Sequence, residues 1–268
     1  MITRSPTLNK RLKVSSPSHL FHYTNSAGLI GIFESKEIWA TNIRFLNDIN
    51  EVIEATESAK QILIERIESS KIESEISLYK AMLDNIDDVA SHIYVCSFSE
   101  DSDSLSQWRA YCPPSGGGYA LGVPGSRLNE LANEQGWMFV KCIYDSNTKV
   151  LVVKEIIDSM LSEYEAALKN QNSTETEIVE RTALNFKLHL LTISGAIKNK
   201  AFEIESEWRL ISPPSVNIDR IGFRQGKSGI IPNCTFKLLT KENPLAKNQI
   251  KLVIGPTPQN DSESRQAA

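Results

Sequence analysis

Side chains able to do chemistry are concentrated in three short segments of the 268-residue sequence. The first is His22-Tyr23-Thr24, which follows an apolar run and precedes Asn25 and Ser26, two residue types that often cap a helix N-terminus. Because backbone amides at a helix N-terminus favour anionic groups, polar side chains at such a junction suit a phosphate-bearing ligand. The alternative interpretation is that His22, which stands between two aromatic residues, is a core or interface residue without a chemical role.

The second segment covers positions 97–111 and contains Ser99, Arg109 and several aromatic residues. On a helix, Ser104, Trp108 and Tyr111 are spaced by four and three residues, which predicts that they share one face. Such a face could stack on a planar ring. The alternative is that the two aromatic side chains belong to the core and that Arg109 is a solvated charge.

The third segment, positions 203–209, has the sequence EIESEWR at the predicted entrance to a strand. In β geometry, Glu203, Glu205 and Glu207 fall on one face, so their carboxylates are expected to crowd together. Unless solvent or a cation relieves the repulsion, the pKa of at least one of them should rise. The alternative is a charged, solvated edge strand.

The apolar patterns around these segments predict strands and helices that position them. Strands are expected at 19–24, 38–42, 93–99, 119–123, 139–144, 207–211, 229–231, 235–239 and 250–254. Helices are expected after residue 25, at 104–111, at 150–168 and at 177–197, with two or three more between 51 and 89. The order predicts an α+β fold, with one domain at 18–258 that carries a helical insertion at about 51–90 and helices at about 148–198. A polar segment, 1–17, and a polar tail, 259–268, flank this domain.

Composition excludes several classes of protein. A net charge of −4 and a pI near 5.7 argue against a protein that binds nucleic acid through a broad cationic surface. The sequence has no apolar run of membrane-spanning length and no signal-peptide pattern, so a cytoplasmic protein without membrane contact is expected. The four cysteines form no C-x-x-C pair and have no histidine at ligand spacing, so neither a metal site nor a disulfide framework is expected.

Taken together, the three segments resemble an uncharacterised bacterial domain family. The resemblance rests on H-Y-T near the N-terminus, F-S-E-D before S-x-x-W-R-x-Y, and E-x-E-W-R near the C-terminus, over about residues 20–255. The same layout is similar to the ADP-ribosyltransferase fold. That similarity implies a split β-sheet core with helical insertions and a pocket in which NAD binds as a substrate, without a metal.

The ADP-ribosyltransferase resemblance also implies roles for individual residues. His22 would hydrogen-bond a ribose hydroxyl, the backbone at Tyr23 would hold the nicotinamide amide, and Tyr111 would stack on the nicotinamide ring. Glu207 would be the catalytic carboxylate, and Glu205 would orient the acceptor.

Four further side chains complete the binding site that the resemblance implies: Thr24, Ser99, Trp108 and Arg109. One position departs from the pattern, because Tyr23 stands where the poly(ADP-ribose) polymerases have glycine. A tyrosine there would narrow the nicotinamide slot, in which case the pocket binds another nucleotide or retains binding without catalysis.

These resemblances imply an NAD-dependent ADP-ribosyltransferase, or an NAD glycohydrolase, that acts on a protein or nucleic-acid acceptor as a toxin or phage-defence effector. The alternative is a non-catalytic nucleotide-sensing or protein-interaction module that docks a protein partner through the helical insertion. In that case Glu205 and Glu207 pair with Arg209, Arg44 or another cation. A carboxylate-based hydrolase is disfavoured, because carboxylates at positions i and i+2 point the same way and leave no partner across a substrate.

Overall fold

A computed structural model describes residue 12 and residues 14–46, 50–86, 93–112, 117–170, 173–214, 216–226, 229–238 and 249–256. The side chains of residues 50–52 and 218 lie outside this description. The predicted tail at 259–268, most of the predicted segment 1–17 and positions 87–90 of the insertion also lie outside the described residues.

Nine strands form one antiparallel sheet with helices on both faces, which confirms the predicted α+β class. The strands are β1 Leu20–Asn25, β2 Glu37–Asn42, β3 Tyr94–Ser99, β4 Gly118–Val123, β5 Met138–Lys141, β6 Glu207–Ile211, β7 Ile221–Gln225, β8 Ile230–Lys237 and β9 Lys251–Ile254. Their order is β7-β8-β2-β3-β1-β4-β9, with β6 paired to β3 and β5 paired to β6.

The sheet divides at β3, because two strands share one of its edges. Strand β6 pairs with β3 from Val95 to Ser99 and so occupies the whole of the other edge. At the shared edge, β2 pairs with the beginning of β3, at Tyr94 and Val95, whereas β1 pairs only with its last residue, Ser99. Strands β1 and β2 therefore diverge from β3, and the helix that links them lies beside the opening.

Seven helices surround the sheet in the described part of the chain. They are α1 Ser26–Ser35, α2 Asn50–Ser69, α3 Glu73–Asp84, α4 Leu105–Tyr111, α5 Gly125–Gln135, α6 Ser146–Lys169 and α7 Glu175–Ser194. The two helices of the predicted insertion, α2 and α3, pack against α6 and α7. The insertion is therefore part of the main core rather than an appendage.

Two large apolar clusters lie on opposite faces of the sheet, as the alternation of side chains along β3 requires. Val95 belongs to the cluster that includes α2, α3, α6 and α7. Cys96 and Phe98 belong to the cluster that includes α1 and α5, with Ile32 and Leu128 among its members. This central strand is buried on both sides, so its side chains are held firmly in place.

The sequence did not predict α5 or β7, and the predicted strands at 229–231 and 235–239 merge into the single strand β8 within the described residues. Strand β7 is short, contains Gly222 and has no fully buried side chain, so it lacks the alternation that marks a strand. Helix α7 begins earlier than predicted, because Thr174 and Glu177 form a capping box inside the predicted polar break.

Candidate functional site

A cavity of about 830 Å³ lies at the opening in the sheet. Its walls come from β1, α1, β2, the middle of β3, α4, β7 and residues between 198 and 209. The volume is within the range of small-molecule sites.

No helix in the described part of the chain is long and apolar enough to cross a membrane. Among the same residues, no group of three or more His, Cys, Asp or Glu side chains could hold a metal ion.

The junction between β1 and α1 forms one wall of the cavity. The Asn25 side chain accepts a hydrogen bond from the backbone N–H of Gly28 at 2.8 Å and so caps α1. A Cβ atom at position 28 would collide with Thr24 Oγ1, so glycine allows the first turn of the helix to pack over Thr24. Both Thr24 and His22 line the cavity.

His22 is held in one orientation by the backbone of β3. Its Nδ1 lies 3.0 Å from the carbonyl oxygen of Ser97. A carbonyl oxygen only accepts hydrogen bonds, so Nδ1 carries the hydrogen, which leaves Nε2 of the neutral ring as an acceptor. Burial lowers the pKa of His22, against the smaller opposing effect of the Ser97 bond, so the ring is neutral at pH 7.

The Tyr23 hydroxyl supports the loop that precedes α4. It donates to the carbonyl of Asp101 at 2.8 Å and accepts from the backbone N–H of Ser104 at 2.9 Å. Burial raises the pKa of Tyr23 to about 12. Its ring packs edge-on against Trp108 with 4.5 Å between centroids, and Trp108 Nε1 donates to Asp103 Oδ1 at 2.7 Å. These contacts fix α4 against β1.

Helix α4 does not present the shared face that the spacing predicted. Trp108 is 4% exposed and packs into a small core beside Phe21, whereas Tyr111 is 44% exposed and lines the cavity. Ser104 is buried beneath the helix start. The prediction of one aromatic face is therefore wrong: the two rings lie about 60° apart around the helix, and the core covers Trp108 while Tyr111 remains at the cavity. Burial, and then the charge of Glu207, raise the pKa of the Tyr111 hydroxyl to about 12.

The three glutamates of the C-terminal segment do not lie on one strand face. Glu203 and Glu205 belong to the short 3-10 helix Lys200–Glu205, and Ser206 follows in a left-handed conformation with φ 42°. Strand β6 begins only at Glu207, so the strand periodicity assumed from the sequence does not apply. Glu203 is exposed and lies outside the cavity lining, whereas Glu205 and Glu207 both line the cavity.

Two cations neutralise Glu205 and Glu207. Lys198 Nζ donates to Glu205 Oε2 at 2.7 Å and also to Glu207 Oε2, and it lies over the Phe202 ring. Arg209 Nε donates to Glu207 Oε1 at 2.7 Å from the other side. The two carboxylates and the two cations together have no net charge. A protein tolerates buried charges when they are paired in this way.

Two cations relieve the repulsion that would otherwise raise a carboxyl pKa, so the expected exception applies to Glu207. Burial acts to raise its pKa, but the charges of Arg209 and Lys198 outweigh burial and lower the pKa to about 2. Burial acts to lower the pKa of Lys198, yet Glu207 raises it above its ordinary value. Glu207 is therefore an anion, and Lys198 a cation, at neutral pH.

The cavity brings together six of the nine side chains expected at the site: His22, Tyr23, Thr24, Tyr111, Glu205 and Glu207. The other three, Ser99, Trp108 and Arg109, are not among the lining residues. The Ser99 hydroxyl instead donates to the carbonyl of Glu205 at 2.8 Å, Trp108 is a core residue and Arg109 is exposed.

Sequence reasoning missed three lining residues that bear on function: Lys198, Trp39 and Arg224. Lys198 follows a helix and precedes a 3-10 turn, outside any recognisable motif. Trp39 carried a usable signal, since it is a large aromatic residue at an exposed position of a predicted strand.

The segment that carries Lys198, Glu205, Glu207 and Arg209 of the cavity also carries the similarity to a protein family. Residues 107–210 match the model of a protein family of unknown function, DUF2971. This match confirms the expected similarity to an uncharacterised domain family. No curated protein and no solved structure matches the chain significantly.

The DUF2971 match covers one side of the cavity. It includes Tyr111 on α4, Lys198, and Glu205 and Glu207, whereas His22 and the whole of β1 lie before it. The match to the family model therefore includes the side of the cavity formed by Lys198, Glu205 and Glu207. The side formed by β1 lies outside the match and meets the first side only in the folded structure.

Proposed function

We propose that the protein consumes NAD, and transfers ADP-ribose to a macromolecular acceptor or hydrolyses NAD. The observation that carries the proposal is that His22 and Glu207, from the two strands that flank β3, line one cavity with Tyr111. Phe21, Ser99 and Glu207 lie in one row across β1, β3 and β6, so His22 is one residue along and two strands away from Glu207. Side chains alternate along a strand, so His22 projects from the opposite face of the sheet to Phe21 and Glu207, and a bound ligand would reach both side chains through the opening between β1 and β2.

An ionised carboxylate suits the chemistry proposed for Glu207. When the bond between nicotinamide and ribose breaks, its electron pair leaves with nicotinamide and positive charge develops on the ribose. A fixed anion beside that carbon stabilises the charge. An acceptor hydroxyl, amine or water then forms the new bond to the ribose and releases a proton. Each carboxylate oxygen has two lone pairs, so Glu207 retains acceptor capacity beside its bonds to Lys198 and Arg209.

His22 and Tyr111 supply the binding contacts in this proposal. Nε2 of the neutral His22 ring accepts a hydrogen bond from a ribose hydroxyl, because Nδ1 is held by Ser97. The exposed ring of Tyr111 offers a surface for the nicotinamide ring. Both side chains already line the cavity, so these contacts need no change of fold.

The decisive experiment measures free nicotinamide after incubation of the protein with NAD. Glu207→Gln is expected to reduce nicotinamide release at least 100-fold, the effect typical of removing one charge-stabilising group. Glu203→Gln is the matched control, because Glu203 belongs to the same segment but is exposed and outside the cavity, and its release rate should be unchanged. Undiminished release by the folded Glu207→Gln variant would overturn the proposal.

A second variant tests the proposal at a residue whose substitution should not disturb folding. Tyr111 is 44% exposed, so Tyr111→Ala should fold normally, as judged by circular dichroism. It is expected to raise the KM for NAD. An unchanged KM would count against the nicotinamide position proposed here.

A toxin or phage-defence role is proposed for the same activity, with a protein or nucleic acid as acceptor. Induced expression of the wild-type chain should then slow growth, and Glu207→Gln should relieve the effect. Equal growth inhibition by both chains would separate toxicity from NAD chemistry.

One observation favours the second candidate, a nucleotide-sensing or interaction module without catalysis. Glu205 and Glu207 are both paired, with Lys198 and Arg209, as a structural role for the carboxylates requires. Saturable NAD binding in a calorimeter, with no nicotinamide release by the wild-type protein, would support this candidate over the enzyme.

A further inference from the structure

The end of the cavity formed by β2 and β7 carries an exposed tryptophan and an arginine that has no acidic partner among the described residues. Trp39 is 53% exposed and Arg224 is half-buried, and both line the cavity. Arg224 Nη2 donates to Thr41 Oγ1 at 3.1 Å. The other two cavity cations, Lys198 and Arg209, are paired with carboxylates, so Arg224 differs from them.

The strand register places these two side chains on the same face of the sheet. Trp39 and Thr41 are two residues apart on β2 and therefore project to the same side. Thr41 is aligned with Asn233 of β8, which is aligned with Gly222 of β7. Arg224 lies two residues beyond Gly222, so it also projects to that side, as its bond to Thr41 requires.

The end of this face at Thr41 and Arg224 lies away from the proposed reaction centre. Thr41 is aligned through Val95 of β3 with Ile211 of β6, four residues beyond Glu207. Four residues of a strand span roughly 13 Å, which separates Thr41 and the Arg224 guanidinium bound to it from Glu207, whereas Trp39 lies two residues nearer, between them and the carboxylates.

From this juxtaposition we propose a nucleotide subsite, in which the base stacks on Trp39 and the phosphate binds Arg224. Indole faces stack on nucleobases without regard to base identity. A guanidinium has five N–H donors, and only one of those of Arg224 is used in the described structure, so the others are available for a bidentate contact with phosphate.

The same chemistry could come from two sources, the adenylate half of the dinucleotide or a nucleotide of a nucleic-acid acceptor. The subsite rests on the proposed function for its natural ligand. AMP is a probe that needs no turnover, so its binding is measured separately from NAD cleavage.

Trp39 provides its own signal for the test. The chain has four tryptophans, and Trp108, Trp137 and Trp208 are 2–4% exposed. Saturable quenching of the emission by AMP therefore reports on Trp39. Trp39→Phe is expected to remove the emission change, while calorimetry still detects a weaker AMP interaction through Arg224.

The variant Arg224→Gln identifies the phosphate contact. It is expected to weaken AMP binding at least tenfold and to change adenosine binding less than twofold, because adenosine lacks the phosphate. Arg109→Gln is the matched control, an exposed arginine outside the cavity lining, and should leave AMP binding unchanged. Absence of a saturable AMP signal, or equal AMP affinity of the wild type and Arg224→Gln, would overturn the subsite.

Two competition experiments distinguish the sources of the ligand. Competitive displacement of AMP by NAD assigns the subsite to the adenylate half. Displacement of AMP by a single-stranded oligonucleotide, but not by NAD, assigns it to the acceptor. Glu207→Gln should bind AMP like the wild type, so the AMP-binding result can be interpreted even if the NAD-cleavage proposal fails.

Discussion

Acidification should destabilise the protein through Glu207. The carboxyl pKa is about 2 in the folded protein, against an ordinary value of 4.5, because Arg209 and Lys198 outweigh burial. A lowered pKa stabilises the fold above the unfolded pKa, and this contribution is lost as the pH falls from 4.5 toward 2. Each pH unit in that window is worth about 1.4 kcal/mol, so the whole contribution is about 3 kcal/mol, of which about 2 kcal/mol is already lost at pH 3.

Urea unfolding at pH 6, 5, 4 and 3 would measure this effect. Other carboxylates titrate in the same range, so the informative quantity is the difference in unfolding free energy between the wild type and Glu207→Gln. That difference should shrink by about 2 kcal/mol between pH 6 and pH 3. Glu203→Gln, which removes an exposed carboxylate of the same segment, is the control for the substitution itself. If the wild type and Glu207→Gln lose stability in parallel, the charge pairing described for Glu207 is not present in solution.

Two further predictions concern stability. Lys198→Met should lower the unfolding free energy by about 3–5 kcal/mol in urea titrations, because it leaves two low-exposure carboxylates with one cation. Lys154→Met, at an exposed position of α6, is the control and should change the unfolding free energy by no more than about 0.5 kcal/mol. Equal effects of the two substitutions would contradict the bridging role of Lys198. Asn25→Ala should cost about 1 kcal/mol by the same measurement through loss of the α1 cap, and unchanged stability would show that the cap contributes nothing.

The sequence predicted most elements near the site, because their local signals were strong. The buried run of β3, the caps of α1 and the two helices of the insertion follow from apolar periodicity and capping residues alone. Helix α5 was missed although Leu128, Leu131 and Ala132 lie on one buried face, and β7 was missed because an edge strand needs little apolar alternation.

The contacts among Lys198, Glu205 and Glu207 could not be predicted from local sequence patterns. The sequence indicated that Glu205 and Glu207 matter, but their convergence depends on the 3-10 turn and on the left-handed backbone at Ser206. Lys198 reaches both carboxylates only because the chain folds back between α7 and β6. Strand periodicity contains no information about a lysine nine residues before the glutamate that it pairs with.

The divergence of β1 and β2 from β3 determines how the two halves of the sheet are joined. On that edge of β3, the carbonyl of Ser97 is satisfied by the imidazole of His22 rather than by a neighbouring strand. The half formed by β1, β4 and β9 and the half formed by β2, β8 and β7 are therefore joined beside the cavity by a side chain, while Leu20 and Ile38 share one apolar cluster across the opening. A substitution of His22 would therefore alter the seam between the two halves of the sheet as well as the wall of the cavity.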